Sequence, residues 1–155
     1  MHFEFLADRP AAAATVAQWY FDQWGAEVPG ETPQTIELTL RKFLNRDRVP
    51  LIILAISDGA VVGSAELKFR EMAIFPEREH WLGGVFVAPS ARSNRIGSAL
   101  AEKIVEIARG LEIDKLSLQT ERDDGGLYAR LGWKPVQRVR HHGRTVLVME
   151  RELAT

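Results

Sequence analysis

Residues 85–99, VFVAPSARSNRIGSA, put two arginines and several small residues where an apolar, strand-like run gives way to a helix. A helix that begins directly after a strand presents unpaired backbone N–H groups at its first turn. Those donors, backed by the helix dipole, favour an anion, most often a phosphate. Ser93, Asn94, Gly97, Ser98 and Ala99 are small enough for phosphate oxygens to approach the backbone. Arg92 and Arg95 add charge-assisted donors. The segment lacks the glycine spacing and the lysine of a P-loop, and it lacks the three glycines of a dinucleotide fingerprint. The same residues would serve equally well as a strand-to-helix loop with solvated arginines.

Other chemistry-bearing residues point less sharply. Trp19, Tyr20, Trp24 and Trp81 could cradle an amine by cation–π contact, although such residues more often fill a core. His141 and His142 stand side by side on an expected hairpin, where neighbouring side chains point opposite ways. With no further ligand nearby they read as a turn, and no metal is expected. Arg138, Arg140, His141, His142 and Arg144 form a basic hairpin without interleaved stacking aromatics, so no nucleic-acid partner is expected.

The elements that position these residues alternate in type. FEFLA (3–7) reads as a short strand, and Pro10 starts a helix carrying Val16, Trp19, Tyr20 and Trp24 on one face. Thr32 caps a second helix with Pro33 at its first position; Ile36, Leu40, Phe43 and Leu44 form its apolar face. LIILAIS (51–57) and AVVGSAELKF (60–69) form a hairpin around Asp58-Gly59. WLGGVFV (81–87), a helix from about Ser93 to Arg109, and KLSLQTE (115–121) form a crossover unit, which makes the two strands parallel. A two-turn helix from Gly126 to Leu131, capped by Asp123 or Asp124, and a closing hairpin, WKPVQRVR and TVLVMERE, complete an α/β chain with a mixed sheet and helices on both faces.

The 155 residues fit one domain, 1–155, and 46% hydrophobic residues suffice for a solid core. Residues 1–89 carry 8 basic and 12 acidic side chains, and residues 90–155 carry 12 and 9, so the halves are −4 and +3 within a net charge of −1. That balance suits a small anionic ligand better than a polyanion. Cysteine is absent, which excludes disulfides, thiolate metal sites and a cysteine nucleophile. No segment approaches the ~18 apolar residues of a membrane span. The N-terminal residues lack the basic start of a signal peptide, and the expectation is a soluble, cytoplasmic protein without a membrane partner.

Val87-x-Pro89-x-x-Arg92-x-x-Arg95-x-Gly97-x-Ala99 resembles the acetyl-CoA-binding signature of the GNAT (GCN5-related) N-acetyltransferases. Leu127-Tyr128-Ala129-Arg130-Leu131-Gly132-Trp133 is similar to the family's Tyr-x-x-Leu-Gly-Phe segment, and the order of elements from 3 to 153 matches as well. The resemblance implies a GNAT-like sheet, mostly antiparallel, with a splayed parallel pair, and transfer of an acetyl group from acetyl-CoA to a small-molecule or peptide amine. It implies that the pyrophosphate rests on N–H groups of Arg92, Ser93, Asn94, Arg95, Ile96, Gly97, Ser98 and Ala99. The pantetheine arm would pair with strand backbone near Val85 and Val87, and an N–H near Phe86 or Val87 would polarise the thioester. Arg95 occupies the position where the family usually has its first glycine. The expectation there is a near-helical backbone, with the glycine favoured for clearance.

In the same way the resemblance makes Tyr128 the candidate general acid for the departing thiolate, since a phenol near 10 can give its proton to the thiolate of a thiol near 8.5 with little penalty. His80 and Glu79 lie where the family often keeps its base, and Glu66 on the neighbouring strand is another choice; one of them, or ordered water, is expected to take the proton. A non-catalytic acyl-CoA-binding module of the same fold is the alternative. The edge of the C-terminal hairpin offers a second copy a place to pair, as in a homodimer.

Overall fold

Apolar runs with strand spacing and one strongly amphipathic helix build this molecule from its middle outward. The computed structural model describes residues 1–92 and 95–154. The strands are β1 (His2–Phe5), β2 (Leu51–Ser57), β3 (Ala60–Phe69), β4 (His80–Val87), β5 (Lys115–Thr120), β6 (Lys134–His141) and β7 (Arg144–Glu152). They form one sheet in the order β1-β2-β3-β4-β5-β7-β6, antiparallel throughout except between β4 and β5. Among the described residues four α-helices accompany them: α1 (Ala13–Tyr20), α2 (Pro33–Leu40), α3 (Ile96–Gly110) and α4 (Gly126–Arg130).

The buried positions alternate along the strands and so make two cores. On one face Leu51, Ile53, Leu67, Leu82, Leu116 and Leu118 pack against the Leu100–Ile104 stripe of α3. On the other face Ile52, Leu54 and Ile56 meet Val16 of α1 and Ile36 and Leu40 of α2. A smaller cluster under β4 and β7 holds Met72, Trp81, Val146 and Val148.

Local signals worked where they act alone. Thr32 caps α2 by accepting from the Thr35 N–H at 3.1 Å, and Pro33 is its first residue. Asp58 and Gly59 both take positive φ in the β2–β3 hairpin. The first helix differs from the expectation: a 3₁₀ turn spans Pro10–Ala12, and a π-turn spans Phe21–Gly25 after α1. Leu44 lies beyond the end of the second helical stretch and is exposed.

Two features position the site. The parallel strands touch at one registered pair, Trp81 opposite Ser117, and diverge beyond it. Arg78 staples that apex: its guanidinium donates to Ser117 Oγ at 3.1 Å and to Glu150 on β7 at 2.9 Å, while its carbonyl accepts the Trp81 indole N–H at 2.7 Å. The second feature is a bulge in β4. Between Ser64 and Glu66 the partner strand advances from Phe86 to Gly83, one residue more than β3.

Candidate active site

The start of α3 forms one wall of the gap between β4 and β5. Arg95 is its N-cap, at φ 57° and ψ 23°, with no side-chain cap. This overturns the near-helical expectation: the position is left-handed, which is the conformation glycine takes most easily. The first turn leaves the N–H groups of Ile96, Gly97 and Ser98 without an intrahelical acceptor. Both ends of the expected run are already engaged. Ala99 donates to Arg95 O at 3.1 Å, and Arg92 N–H turns back to Pro89 O at 3.5 Å. Ser93 and Asn94 lie outside the described residues. The Arg92 side chain lies 5.7 Å over the Phe86 ring, and its Nε donates to Val87 O at 3.1 Å. A Cβ on Gly97 would lie 3.5 Å from Leu127 and 3.8 Å from Val87, so this glycine marks the crevice where α3, β4 and α4 meet.

The free edge of β4 forms the second wall. Ala88 N–H donates to Val62 O on β3 at 2.8 Å, and the Phe86 carbonyl also lies on the β3 side, next to Gly63. The Val87 N–H, trans to that carbonyl in the same peptide plane, points the other way, into the gap. Of the two donors expected from sequence, Phe86 is turned towards β3 and Val87 towards the gap.

Tyr128 closes the third side. The N-cap of α4 is Gly125, with no side-chain cap, in place of the expected Asp123 or Asp124; Asp124 Oδ1 accepts the Gly126 N–H at 2.9 Å just ahead of the helix, and Trp133 meets the Tyr128 ring edge-to-face at 6.3 Å. Burial, reinforced by the negative charge of Glu71, pushes the Tyr128 phenol up to about 12.

The three candidate bases do not gather here. His80 stands at the stapled end of β4 against Phe69, in a hollow shared with Asp47, Leu111 and Ile113. Glu79 precedes it and is exposed. Glu66 is buried beneath the β4 bulge, and burial raises its pKa, with Lys68 opposing and Glu71 adding. The carboxylate that does reach the gap is Glu71, which the sequence patterns passed over. It accepts from Gln119 of β5 at 2.9 Å and pairs with Lys68 of β3 at 3.3 Å. A Cβ on Gly83 would come within 2.5 Å of its Oε1, so glycine at 83 is what lets the carboxylate lie against β4. Glu71 sits in a loop without periodicity; its only sequence signal is its place opposite the paired glycines, Gly83 and Gly84.

The expected aromatics divide. Trp81 is fully buried core. Trp19 stacks on Phe86 at 5.0 Å, Tyr20 is buried, and Trp24 stays 45% exposed at the rim, 5.5 Å from the Tyr20 ring. Arg144 ties Glu27 of the loop after α1 to Glu121 beyond β5, at 2.5 and 3.0 Å. The two histidines correct the hairpin expectation. His142 takes φ 49°, which brings its ring to 3.9 Å from that of His141 instead of the opposite face. Among the described residues no cluster of three or more His, Asp or Glu could hold a metal.

Comparison with known proteins places this geometry. None of the curated proteins matches the chain in sequence. Among solved structures it is similar to an aminoglycoside 6'-N-acetyltransferase complexed with coenzyme A, with TM-score 0.76 and 14% identity over 100% of this chain and 98% of the other. It is similar to the ribosomal-protein-alanine N-acetyltransferase from Brucella melitensis, with TM-score 0.73 and 25% identity over 99% and 100%. It also resembles the Salmonella typhimurium protein yncA, solved with its cofactor acetyl-CoA, with TM-score 0.72 and 17% identity over 100% and 95%. Residues 13–133 match the model of the acetyltransferase (GNAT) family, so the splayed strands and the donor-rich start of α3 are those of a chain that belongs to that family.

Proposed function

We propose that this protein moves an acetyl group from acetyl-CoA to a primary amine, with Glu71 as base and Tyr128 as donor to the departing sulfur. The observation that carries the reading is the gap itself. One side offers N–H groups from Ile96–Ser98 and Val87; the other brings the Glu71 carboxylate and the Tyr128 phenol into mutual electrostatic reach. The diphosphate of acetyl-CoA suits the α3 donors and the exposed Arg92 and Arg95, and its amide arm suits an unpaired strand edge.

The magnitudes divide the labour. A carboxylate is too weak a base to take the proton from a free alkylammonium near 10.4 outright. Glu71 therefore acts as the nitrogen bonds to carbon, when the N–H protons become strongly acidic, and holds the amine until then. A phenol at about 12 is a poor outright acid for a thiolate near 8.5. Tyr128 accordingly supports the sulfur with a hydrogen bond that persists across the working pH range.

Thiol release from acetyl-CoA against a broad panel of amines tests the proposal. Turnover with at least one amine is expected. Tyr128→Phe and Glu71→Gln should each lower kcat about 100-fold, with KM for acetyl-CoA changed little. Acetyl-CoA binding without turnover on any amine would favour the binding-module alternative.

A further inference from the structure

The β4 bulge is pinned from the α1 side. Gly84 takes φ +56°, and its carbonyl leaves the sheet ladder to accept the Tyr20 hydroxyl proton at 3.3 Å. Glu66 presses on the same spot. A Cβ on Gly84 would lie 2.6 Å from Tyr20 Oη and would overlap the Glu66 carboxylate. Both side chains are buried, at 8% and 6% exposure. A phenylalanine and an aliphatic residue would fill that volume without the desolvation penalty of two polar groups, so packing alone does not account for them.

The bulge has two consequences for the gap. Its extra residue turns Phe86 onto the α1 face, where it stacks on Trp19; uninterrupted alternation would have sent it to the α3 face. It also sets the direction in which Val87 presents its N–H group. We propose that Tyr20 and Glu66 are positioning residues that lock the bulge, and so hold that N–H group at the angle that polarises the acetyl carbonyl. This rests on the acetyl-transfer reading above. Tyr20 is also the last residue before the π-turn that carries Trp24, so one side chain anchors both the thioester wall and the aromatic rim.

The test needs no acceptor. Acetyl-CoA labelled with ¹³C at the thioester carbonyl is bound to wild type, Tyr20→Phe and Glu66→Gln, and its carbonyl stretch is read by isotope-edited infrared difference spectroscopy, with calorimetry for Kd. In the wild type the bound band should fall below its position in free acetyl-CoA. Both variants should lose most of that displacement while Kd stays within about threefold, because the α3 donors are untouched. Full displacement in both variants would overturn the positioning role and leave the transfer reading standing. A wild-type band that does not move would remove the polarising role of β4 and the proposal with it. Loss of displacement together with Kd weakened more than about tenfold would also overturn it, since the whole strand would then have moved. If circular dichroism shows Tyr20→Phe unfolded, Glu66→Gln decides alone.

Discussion

Arg95 combines two opposed demands in one residue. Its left-handed backbone costs an L-residue roughly 1–2 kcal/mol, while its exposed guanidinium lies beside the open N–H groups of α3. Arg95→Gly separates the two. Glycine relieves the strain but loses more chain entropy on folding, so the net gain should be about 0.5 kcal/mol, or 1–2 °C in Tm. Acetyl-CoA affinity should fall several-fold in the same variant, because a charge facing the diphosphate is gone. Calorimetry and a melting curve read both; unchanged affinity would exclude Arg95 from the anion site. Glu66 gives a second experiment at this scale. Burial raises its folded pKa above the ordinary value of 4.5, with Lys68 opposing and Glu71 adding to the rise. A carboxyl whose pKa is raised by folding stabilises the native state below its unfolded pKa, and that stability is lost as pH rises through the folded value. Glu66→Gln removes the titration. Its stability relative to wild type should therefore climb from pH 4 towards pH 7 in denaturant melts, and a flat difference would contradict the burial of an ionisable group there.

The elements show which features of this chain depend on neighbours in sequence and which on neighbours in space. The Asp58-Gly59 hairpin, the Thr32-Pro33 start of α2 and the amphipathic stripe of α3 need only residues within one or two turns, and each was legible from the sequence. The signature around Arg92–Ala99 and the position of Tyr128 both fall at the end of the sheet where β4 and β5 diverge. The bulge at Gly84 was not legible, because it exists only in the register of β4 against β3. Glu71 was missed for the same reason: its partners Lys68, Gly83 and Gln119 come from three different strands. His80 and Glu79 lie at the closed end of β4; closeness to the strand in sequence says nothing about which end of the strand opens. The apex fixes that end, and Arg78 holds it with 15% of its side chain exposed. Arg78→Met should therefore cost about 1–2 kcal/mol of stability, since Ser117 and Glu150 each lose a charged partner. It should also raise KM for acetyl-CoA, because β5 is freed to shift against β4. A stability loss with unaltered KM would mean that the staple supports the fold but not the gap.

At the scale of the whole molecule the sheet is two half-sheets, β1–β4 and β5-β7-β6, joined by one registered pair and crossed by α3. A ligand that pairs with the edge of β4 and reaches the start of α3 while facing α4 would couple the halves. At 100-fold excess over Kd such coupling adds about 2.7 kcal/mol, which for a domain of this size raises Tm by roughly 5–11 °C. Heat alone would not say where the ligand lies, but amide exchange does. Ala88 already donates to β3, and Phe86 faces the same way, so both should exchange slowly with or without ligand. Val87 points into the gap, and it should exchange fast in the free protein and slow when acetyl-CoA is present. The alternation matters more than the amount of protection. A uniform slowing of residues 86–88 would report general tightening of the strand, whereas slowing at 87 alone requires a new acceptor on the open edge. A raised Tm with Val87 still fast would place the ligand outside the gap, and the division of the sheet would then have no part in binding it.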